Sequence, residues 1–201
     1  PKYDLTKEAI AGAEALVRWE SPEKGLIKPD KFIPLFERTG LITTLDSYVW
    51  EVICQDLKQW LHNKDTVFPI SANVSRADLF NPKLVDILTG LLKKYEIPIH
   101  ILHLEITESA YTDNQQQIIQ VVKKLRSLGF VIEMDDFGTG YSSLNMLAEM
   151  PVDVLKLDMG FVRCEALSSS SRGVLSFCIS LAKWLNLSVI AEGVETKEQV
   201  N

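Results

Sequence analysis

Acidic side chains recur at the ends of short apolar runs in this 201-residue chain, and their types and spacing could support chemistry. The stretch Met134-Asp135-Asp136-Phe137 places two carboxylates side by side, directly after an apolar segment and before two glycines. Other apolar runs end close to Asn73, Glu105, Glu108, Lys156, Asp158 and Glu192. One such residue alone is more often a helix cap or a solvated loop charge. A functional site follows only if the fold brings them together.

The candidate carboxylates are Glu14, Glu105, Asp135, Asp136 and Glu192. Gathered on one face, they would repel one another unless they were paired or bridged by cations, and Lys156 alone cannot neutralise this many. Carboxylates and the amide of Asn73 offer only oxygen ligands, and no histidine falls among them, so a hard cation such as Mg²⁺ or Mn²⁺ is favoured over zinc. Adjacent Asp135 and Asp136 would let one carboxylate bridge two ions, and sites with two such metals cleave phosphate esters.

Alternating strands and helices must position these residues. Runs rich in Val, Ile, Leu and Phe predict strands at 68–73, 101–106, 130–135, 152–158 and 187–192. Helices are predicted between them at 82–94, 114–128, 143–149 and 172–184. This alternation implies a parallel sheet with helices outside it, either a (β/α) barrel or a doubly wound sheet. The C-terminal ends of the strands would then share one face, where barrel active sites are built.

The N-terminal part follows a different pattern. Segments 2–5 and 12–19 are close enough for an antiparallel hairpin, and helices are predicted after them at 30–37 and 44–62. Strand alternation would put Glu14, Leu16 and Arg18 on one side of the second strand. A carboxylate, an apolar group and a guanidinium on one strand face indicate a pocket wall.

Composition narrows the function classes. With 46% hydrophobic and 24% charged residues, the chain reads as one folded domain, and it shows neither an export signal nor an apolar run of membrane-spanning length. Three cysteines without metal or disulfide spacing favour a reducing compartment, so we expect a cytoplasmic domain without membrane contact. A net charge of -6 disfavours a DNA or RNA polymer as partner.

The tripeptide Asp136-Phe137-Gly138 also occurs in protein kinases, so that class has to be weighed. A kinase would also carry a glycine-rich GxGxxG loop, a lysine strand of the VAIK type and an HRD loop. The sequence has none of these, and a kinase is therefore disfavoured.

Seven ordered blocks together resemble the EAL domain family, the bacterial cyclic di-GMP phosphodiesterases. The blocks are GAEALVRW, PDKFIPLFERTGLI, ANVS, LEITES, MDDFGTGYSSL, LKLDMGFV and AEGVET. The resemblance implies an α/β fold, a modified TIM (β/α)8 barrel with an antiparallel first strand, in a single domain over residues 1–201. Family members continue past AEGVET through a last helix and strand, so we expect the barrel to be incomplete at its C-terminal end in this chain.

By motif position, the resemblance implies a metal-ligand set of Glu14, Asn73, Glu105, Asp135 and Asp136, with Asp135 shared between two ions. Glu192 would be the general base, and Lys156 would orient or support the nucleophile. Leu16 and Arg18 would contact the dinucleotide.

The resemblance also gives expectations for two further acidic residues. By resemblance to the family, Glu108 would anchor the loop that starts at Asp136. Glu133 stands where the family tends to be apolar or small, and we expect it to alter the strand environment more than metal binding.

The implied reaction is hydrolysis of one phosphodiester bond of cyclic di-GMP to linear pGpG, supported by two Mg²⁺ or Mn²⁺ ions. The alternative is a receptor that binds cyclic di-GMP without hydrolysing it, as family members with eroded motifs do. The resemblance also implies a homodimer, and fusion to sensory or diguanylate cyclase domains in a full-length protein that could itself be membrane-tethered.

Overall fold

A computed structural model describes residues 1–63, 67–112, 114–138, 144–160 and 169–194. Its strands are β1 (Lys2–Asp4), β2 (Ala9–Glu14), β3 (Trp19–Ser21), β4 (Gly25–Ile27), β5 (Ile70–Asn73), β6 (Leu102–Thr107), β7 (Val131–Phe137), β8 (Val154–Leu157) and β9 (Ser188–Ala191). Its α-helices are α1 (Pro29–Thr39), α2 (Ile42–His62), α3 (Arg76–Leu79), α4 (Leu84–Tyr95), α5 (Gln115–Leu128), α6 (Leu144–Glu149) and α7 (Ser169–Trp184). Short 3-10 helices cover Ile99–Ile101 and Glu108–Thr112.

The chain forms two compact units. The first contains residues 1–104 and 127–130, and the second contains residues 105–126 and 131–201. Strand β6 contributes its first half to the first unit and its second half to the second unit. The prediction of a single domain over 1–201 stays a prediction.

In the first unit, β1 pairs antiparallel with β2, and β2 pairs parallel with β5. The predicted N-terminal hairpin is therefore confirmed, although its second strand ends at Glu14 rather than at Trp19. Trp19 instead begins β3, which forms a separate antiparallel hairpin with β4. Its indole packs edge-on against Phe32 of α1, with ring centroids 5.7 Å apart. This edge-on contact is the arrangement that aromatic pairs prefer, and it joins β3 to α1.

Helices α2 and α4 each bury an apolar face in the first unit. On α2, Trp50, Cys54 and Leu57 are fully buried, and α4 buries Leu84, Leu88 and Leu92 at intervals of one helical turn. This i, i+4 spacing places one apolar stripe along each helix, which is what a helix needs to cover a sheet. The predicted helices at 44–62 and 82–94 are thus confirmed, with α2 and α4 starting two residues away from the predicted positions.

In the second unit, β7, β8 and β9 are parallel neighbours, with Met134 opposite Leu155 and Leu155 opposite Val189. Helix α5 buries Ile118, Val122 and Leu125. All four residues of β8 are buried, as expected for a central parallel strand that is covered on both faces. The predicted alternation of parallel strands and helices is confirmed here.

None of the helices within the described ranges is long and apolar enough to cross a membrane.

Candidate functional site

Lys156 forms the centre of a charged cluster in the second unit. Its side chain is 1% exposed, and its Nζ lies 3.1 Å from Glu105 Oε1, 3.0 Å from Asp135 Oδ1 and 2.9 Å from Glu192 Oε1. These residues come from β6, β7, β8 and the position after β9. The structure therefore brings together four of the residues that the sequence singled out at strand ends.

The cluster carries more negative than positive charge. Three carboxylates surround one ammonium group, and Glu105 and Lys156 are each 1% exposed. Charges taken out of water are tolerated only when they are well paired, and a bound cation would add positive charge to this group. Glu105 and Asp135 offer carboxylate oxygens that lie within 4.8 Å of each other. This all-oxygen, negatively charged donor set fits a hard divalent cation such as Mg²⁺ or Mn²⁺.

The backbone turns at Asp136, directly after Asp135. Asp136 adopts a left-handed φ of 56°, and its N–H donates to Asp135 Oδ1 at 2.9 Å. Burial raises the pKa of Asp136, and the negative charges of Asp135, Asp158 and Glu192 raise it further, while Lys156 opposes them. A carboxylate held among like charges gains from a nearby cation, which is the environment expected of a metal ligand.

Asp158 is a further acidic residue of this region to which the sequence analysis assigned no role. Its charge acts on Asp136, and its Oδ1 accepts a hydrogen bond from Gly160 N at 2.7 Å. Its position two residues after Lys156 could have identified it, because alternate residues along a strand direction point the same way.

Glu108 holds the backbone at the start of the glycine-containing loop. Its side chain is buried, and Oε2 accepts a hydrogen bond from Gly138 N at 2.8 Å. Gly138 has a φ of 97°, which a residue with a Cβ rarely adopts. Residues 139–143, the rest of the loop, lie outside the described part of the chain.

A second glycine shapes the segment that carries Glu192. The N–H of Glu192 donates to Leu157 O at 3.0 Å, which continues the β8–β9 ladder. The next residue, Gly193, has a φ of 69°, and a Cβ there would lie 2.6 Å from Met159 Cβ. Only glycine lets the chain turn this close to Met159 directly after the candidate base.

The first unit holds the other predicted site residues. Glu14 ends β2 opposite Ser71 of β5, and Asn73 ends β5 with its carbonyl oxygen accepting a hydrogen bond from Trp50 Nε1 at 3.0 Å. The strand register thus places both candidate ligands at the C-terminal ends of neighbouring parallel strands.

The prediction that Leu16 and Arg18 share a strand face with Glu14 is wrong, because β2 ends at Glu14. Leu16 lies in the connection to β3 and is 57% exposed. The guanidinium of Arg18 donates to Val17 O at 2.8 Å. Their approach to a ligand therefore depends on loop conformation and not on strand alternation.

Glu133 is buried on β7, opposite Val154 of β8, with 1% of its surface exposed. The Glu133 carboxyl is therefore shielded from solvent. It lies two residues before Asp135 on the same strand.

The family model for the EAL domain matches residues 1–201. The chain belongs to the EAL domain family. Among curated relatives of this EAL domain, MucR of Pseudomonas aeruginosa, named a bifunctional diguanylate cyclase/cyclic di-GMP phosphodiesterase, is 37% identical over 200 residues, covering 99% of this chain and 29% of MucR. The cyclic di-GMP phosphodiesterase PA2567 of the same organism is 36% identical over 198 residues, covering 98% of this chain and 34% of that protein.

A solved structure, the PaMucR phosphodiesterase in complex with c-di-GMP, matches this EAL domain with a TM-score of 0.92 at 37% identity. The match covers 99% of this chain and 81% of that chain. The expected fold class, an α/β fold of the modified TIM-barrel type, is thereby confirmed. The chain spans about a third or less of the length of these curated relatives.

Proposed function

We propose that this EAL domain hydrolyses one phosphodiester bond of cyclic di-GMP and releases linear pGpG. The main support for this proposal is the buried cluster in which Lys156 contacts Glu105, Asp135 and Glu192 at 2.9 to 3.1 Å. Relatives of the family that are 36–37% identical are named cyclic di-GMP phosphodiesterases, which supports the same substrate here. Every residue for which the family motif implies a role in metal binding or water activation is present in this chain.

The proposed metal ligands are Glu14, Asn73, Glu105, Asp135 and Asp136. Two ions, Mg²⁺ or Mn²⁺, would when bound lower the pKa of water and offset negative charge on the phosphate. The donor set fits this role, since the described residues of the cluster present carboxylate oxygens and a surplus of negative charge. Neutralisation by cations also explains how a chain with a net charge of -6 could bind an anionic dinucleotide.

Glu192 is the proposed general base, and Lys156 is proposed to hold it in place. Glu192 Oε1 lies 2.9 Å from Lys156 Nζ, so the ammonium group restrains one carboxylate oxygen while the other can take a proton from the attacking water. The side chain of Glu192 is 27% exposed, which leaves it accessible to water and substrate. Arg18 is proposed to bind a phosphate oxygen, a contact that its planar guanidinium suits, with Leu16 beside it against the dinucleotide.

Glu108 is proposed to anchor the loop that starts at Asp136. Its hydrogen bond to Gly138 N fixes the backbone two residues after Asp136. Restraint of this kind would keep Asp136 near the cluster. Homodimerisation and fusion to sensory or cyclase domains remain proposals from family membership.

Turnover of cyclic di-GMP is the direct test. Incubation of the chain with cyclic di-GMP and Mg²⁺ or Mn²⁺, followed by chromatography, should show pGpG. Removal of the ions with a chelator should abolish the product, and adding them back should restore it. Tight binding of cyclic di-GMP without product would instead support the non-hydrolysing receptor.

A single substitution separates binding from turnover. We expect Glu192→Gln to bind cyclic di-GMP as well as the native chain but to lose a factor on the order of 10²–10⁴ in turnover, because the amide cannot accept the proton. Glu149→Gln is the matched control, since it makes the same change at an exposed residue of α6 and should leave both properties intact. Unchanged turnover in Glu192→Gln would remove Glu192 from the role of base.

A further inference from the structure

Two buried carboxyl groups lie together in the first unit, apart from the residues assigned so far. Asp46 of α2 is 8% exposed and Asp78 of α3 is 1% exposed. Ser75 joins them, because its N–H donates to Asp46 Oδ2 at 3.2 Å and its hydroxyl donates to Asp78 Oδ2 at 2.5 Å. Two carboxylates buried next to each other repel, and a proton on Asp46 that is shared with the Asp78 carboxylate would remove this repulsion.

The same face of α2 also contacts Asn73, which lies two residues before Ser75. Trp50, one helical turn after Asp46, donates from Nε1 to Asn73 O at 3.0 Å. Asp46 and Trp50 together therefore bind two backbone groups, the N–H of Ser75 and the C=O of Asn73. The segment that leaves β5 and enters α3 is held at two points, on either side of Val74.

We propose that Asp46 and Asp78, joined through Ser75, are positioning residues for Asn73. The inference rests on the proposed function, in which the Asn73 side chain is a metal ligand. Asn73 sits at the last position of β5, and the two contacts from α2 hold the backbone directly at and beyond it. Partners that orient a metal ligand typically change metal affinity by about 10–100-fold when they are removed.

The charges around Asp46 support a shared proton. Burial, the largest cause, and the neighbouring Asp78 carboxyl together raise the pKa of Asp46 to about 8, against the opposing effect of the hydrogen bonds from Ser75. Strand β5 contributes no ionisable side chain, Arg76 of α3 is exposed, and Glu51 of α2 is bound by Lys94 and Tyr95 of α4. The ionisable side chains of α1 and the remaining ones of α4 are exposed.

The direction of the pH effect follows from the raised pKa of Asp46. An acid whose pKa is higher in the folded chain contributes stability that is complete below its ordinary value of 3.8 and is lost as the pH rises through about 8. In that window the folded chain binds the proton that the unfolded chain releases. Each pH unit should therefore raise the unfolding equilibrium constant by up to about tenfold through this group.

Urea unfolding between pH 5 and 8 tests the shared proton without any assay of turnover. Asp46→Asn keeps an acceptor for the Ser75 N–H and a donor for Asp78 but cannot titrate, so its stability should fall less steeply with pH than that of the native chain. Asp56→Asn, an exposed position on the same helix, should follow the native pH dependence. Parallel pH dependences for the native chain and Asp46→Asn would overturn the shared proton.

Mn²⁺ titration calorimetry tests the positioning itself. Asp46→Ala and Trp50→Phe should weaken Mn²⁺ binding by about tenfold or more, whereas Asp46→Asn and Asp56→Asn should stay close to the native affinity. Native Mn²⁺ affinity in both Asp46→Ala and Trp50→Phe would overturn the positioning role. If the native chain binds Mn²⁺ but forms no pGpG, the result counts against the proposed hydrolysis and leaves this inference standing.

Discussion

At the scale of single residues, Lys156 carries most of the electrostatic balance of the site. Its ammonium group is 1% exposed and contacts three carboxylates at 2.9 to 3.1 Å. A lysine is almost never buried unless it is paired, and here the pairing is with the same carboxylates that are proposed to bind metal or to act as base. Lys156 thus lowers the repulsion among Glu105, Asp135 and Glu192 before any cation arrives.

Replacement of Lys156 tests this balance. We expect Lys156→Met to destabilise the metal-free chain by about 3–5 kcal/mol, because it leaves buried carboxylates without their counter-charge. Added Mn²⁺ should recover part of that loss and should stabilise Lys156→Met more than the native chain. The measurement is urea unfolding with and without Mn²⁺.

The control for this change is Lys123→Met, which alters an exposed lysine of α5 in the same way. It should shift stability by less than about 0.5 kcal/mol, with or without Mn²⁺. Equal losses in the two variants would show that the Lys156 ammonium does not offset the buried carboxylates.

At the scale of elements, Asp153 ties together the parts that hold the cluster. It precedes β8, and its carboxylate accepts hydrogen bonds from Arg126 of α5 at 2.9 Å and from Ile132 N of β7 at 2.9 Å. Its backbone donates to Ile132 O at 2.9 Å and accepts from Ser188 N of β9 at 3.0 Å. One residue therefore sets the register of three strands at the end opposite to the charged cluster.

Loss of the Asp153 side chain should weaken this junction. We expect Asp153→Ala to lower the free energy of unfolding by about 2 kcal/mol, because it removes a charged hydrogen bond and leaves the Ile132 N–H without its acceptor. Urea unfolding measures the change. Glu149→Ala removes an exposed carboxylate of α6 and should be close to neutral, so a similar loss in both variants would contradict a role for Asp153 in the strand junction.

At the scale of the whole molecule, an acidic chain with surplus carboxylates should be stabilised by the cation it binds. Its net charge is -6, and the Lys156 cluster concentrates part of that charge. A ligand that binds only the folded state raises stability in proportion to the logarithm of its concentration over Kd. The stability of the chain should therefore depend on the divalent cation concentration.

Thermal unfolding at increasing Mn²⁺ concentration checks this dependence. At about 100 times Kd, the stabilisation should reach about 2.7 kcal/mol, and a chelator should reverse it. Asp135→Asn should remove most of the effect, since Asp135 is the proposed shared ligand. An unchanged unfolding midpoint across the Mn²⁺ series would argue against a metal site in the folded chain.

Local patterns predicted much of the fold. The apolar runs and their polar ends placed β5 to β9 within three residues at each end, because strands and helices have characteristic periods that a single segment displays. The same patterns missed the hairpin of β3 and β4 and the early end of β2. Where a strand ends and which strand it pairs with depend on contacts with other segments, and the strand period does not report them.

The sequence by itself determined the donor chemistry, the parallel alternation and the family, since these follow from residue types, periodicity and ordered blocks. Only the tertiary structure decided that Lys156 inserts among Glu105, Asp135 and Glu192, that Glu108 binds Gly138, and that Asp46 meets Asp78 across Ser75. The physical reason is the distance along the chain over which each property is determined. Periodicity reports which face of an element a side chain occupies, whereas the partner it meets there depends on strand register and on packing between distant segments.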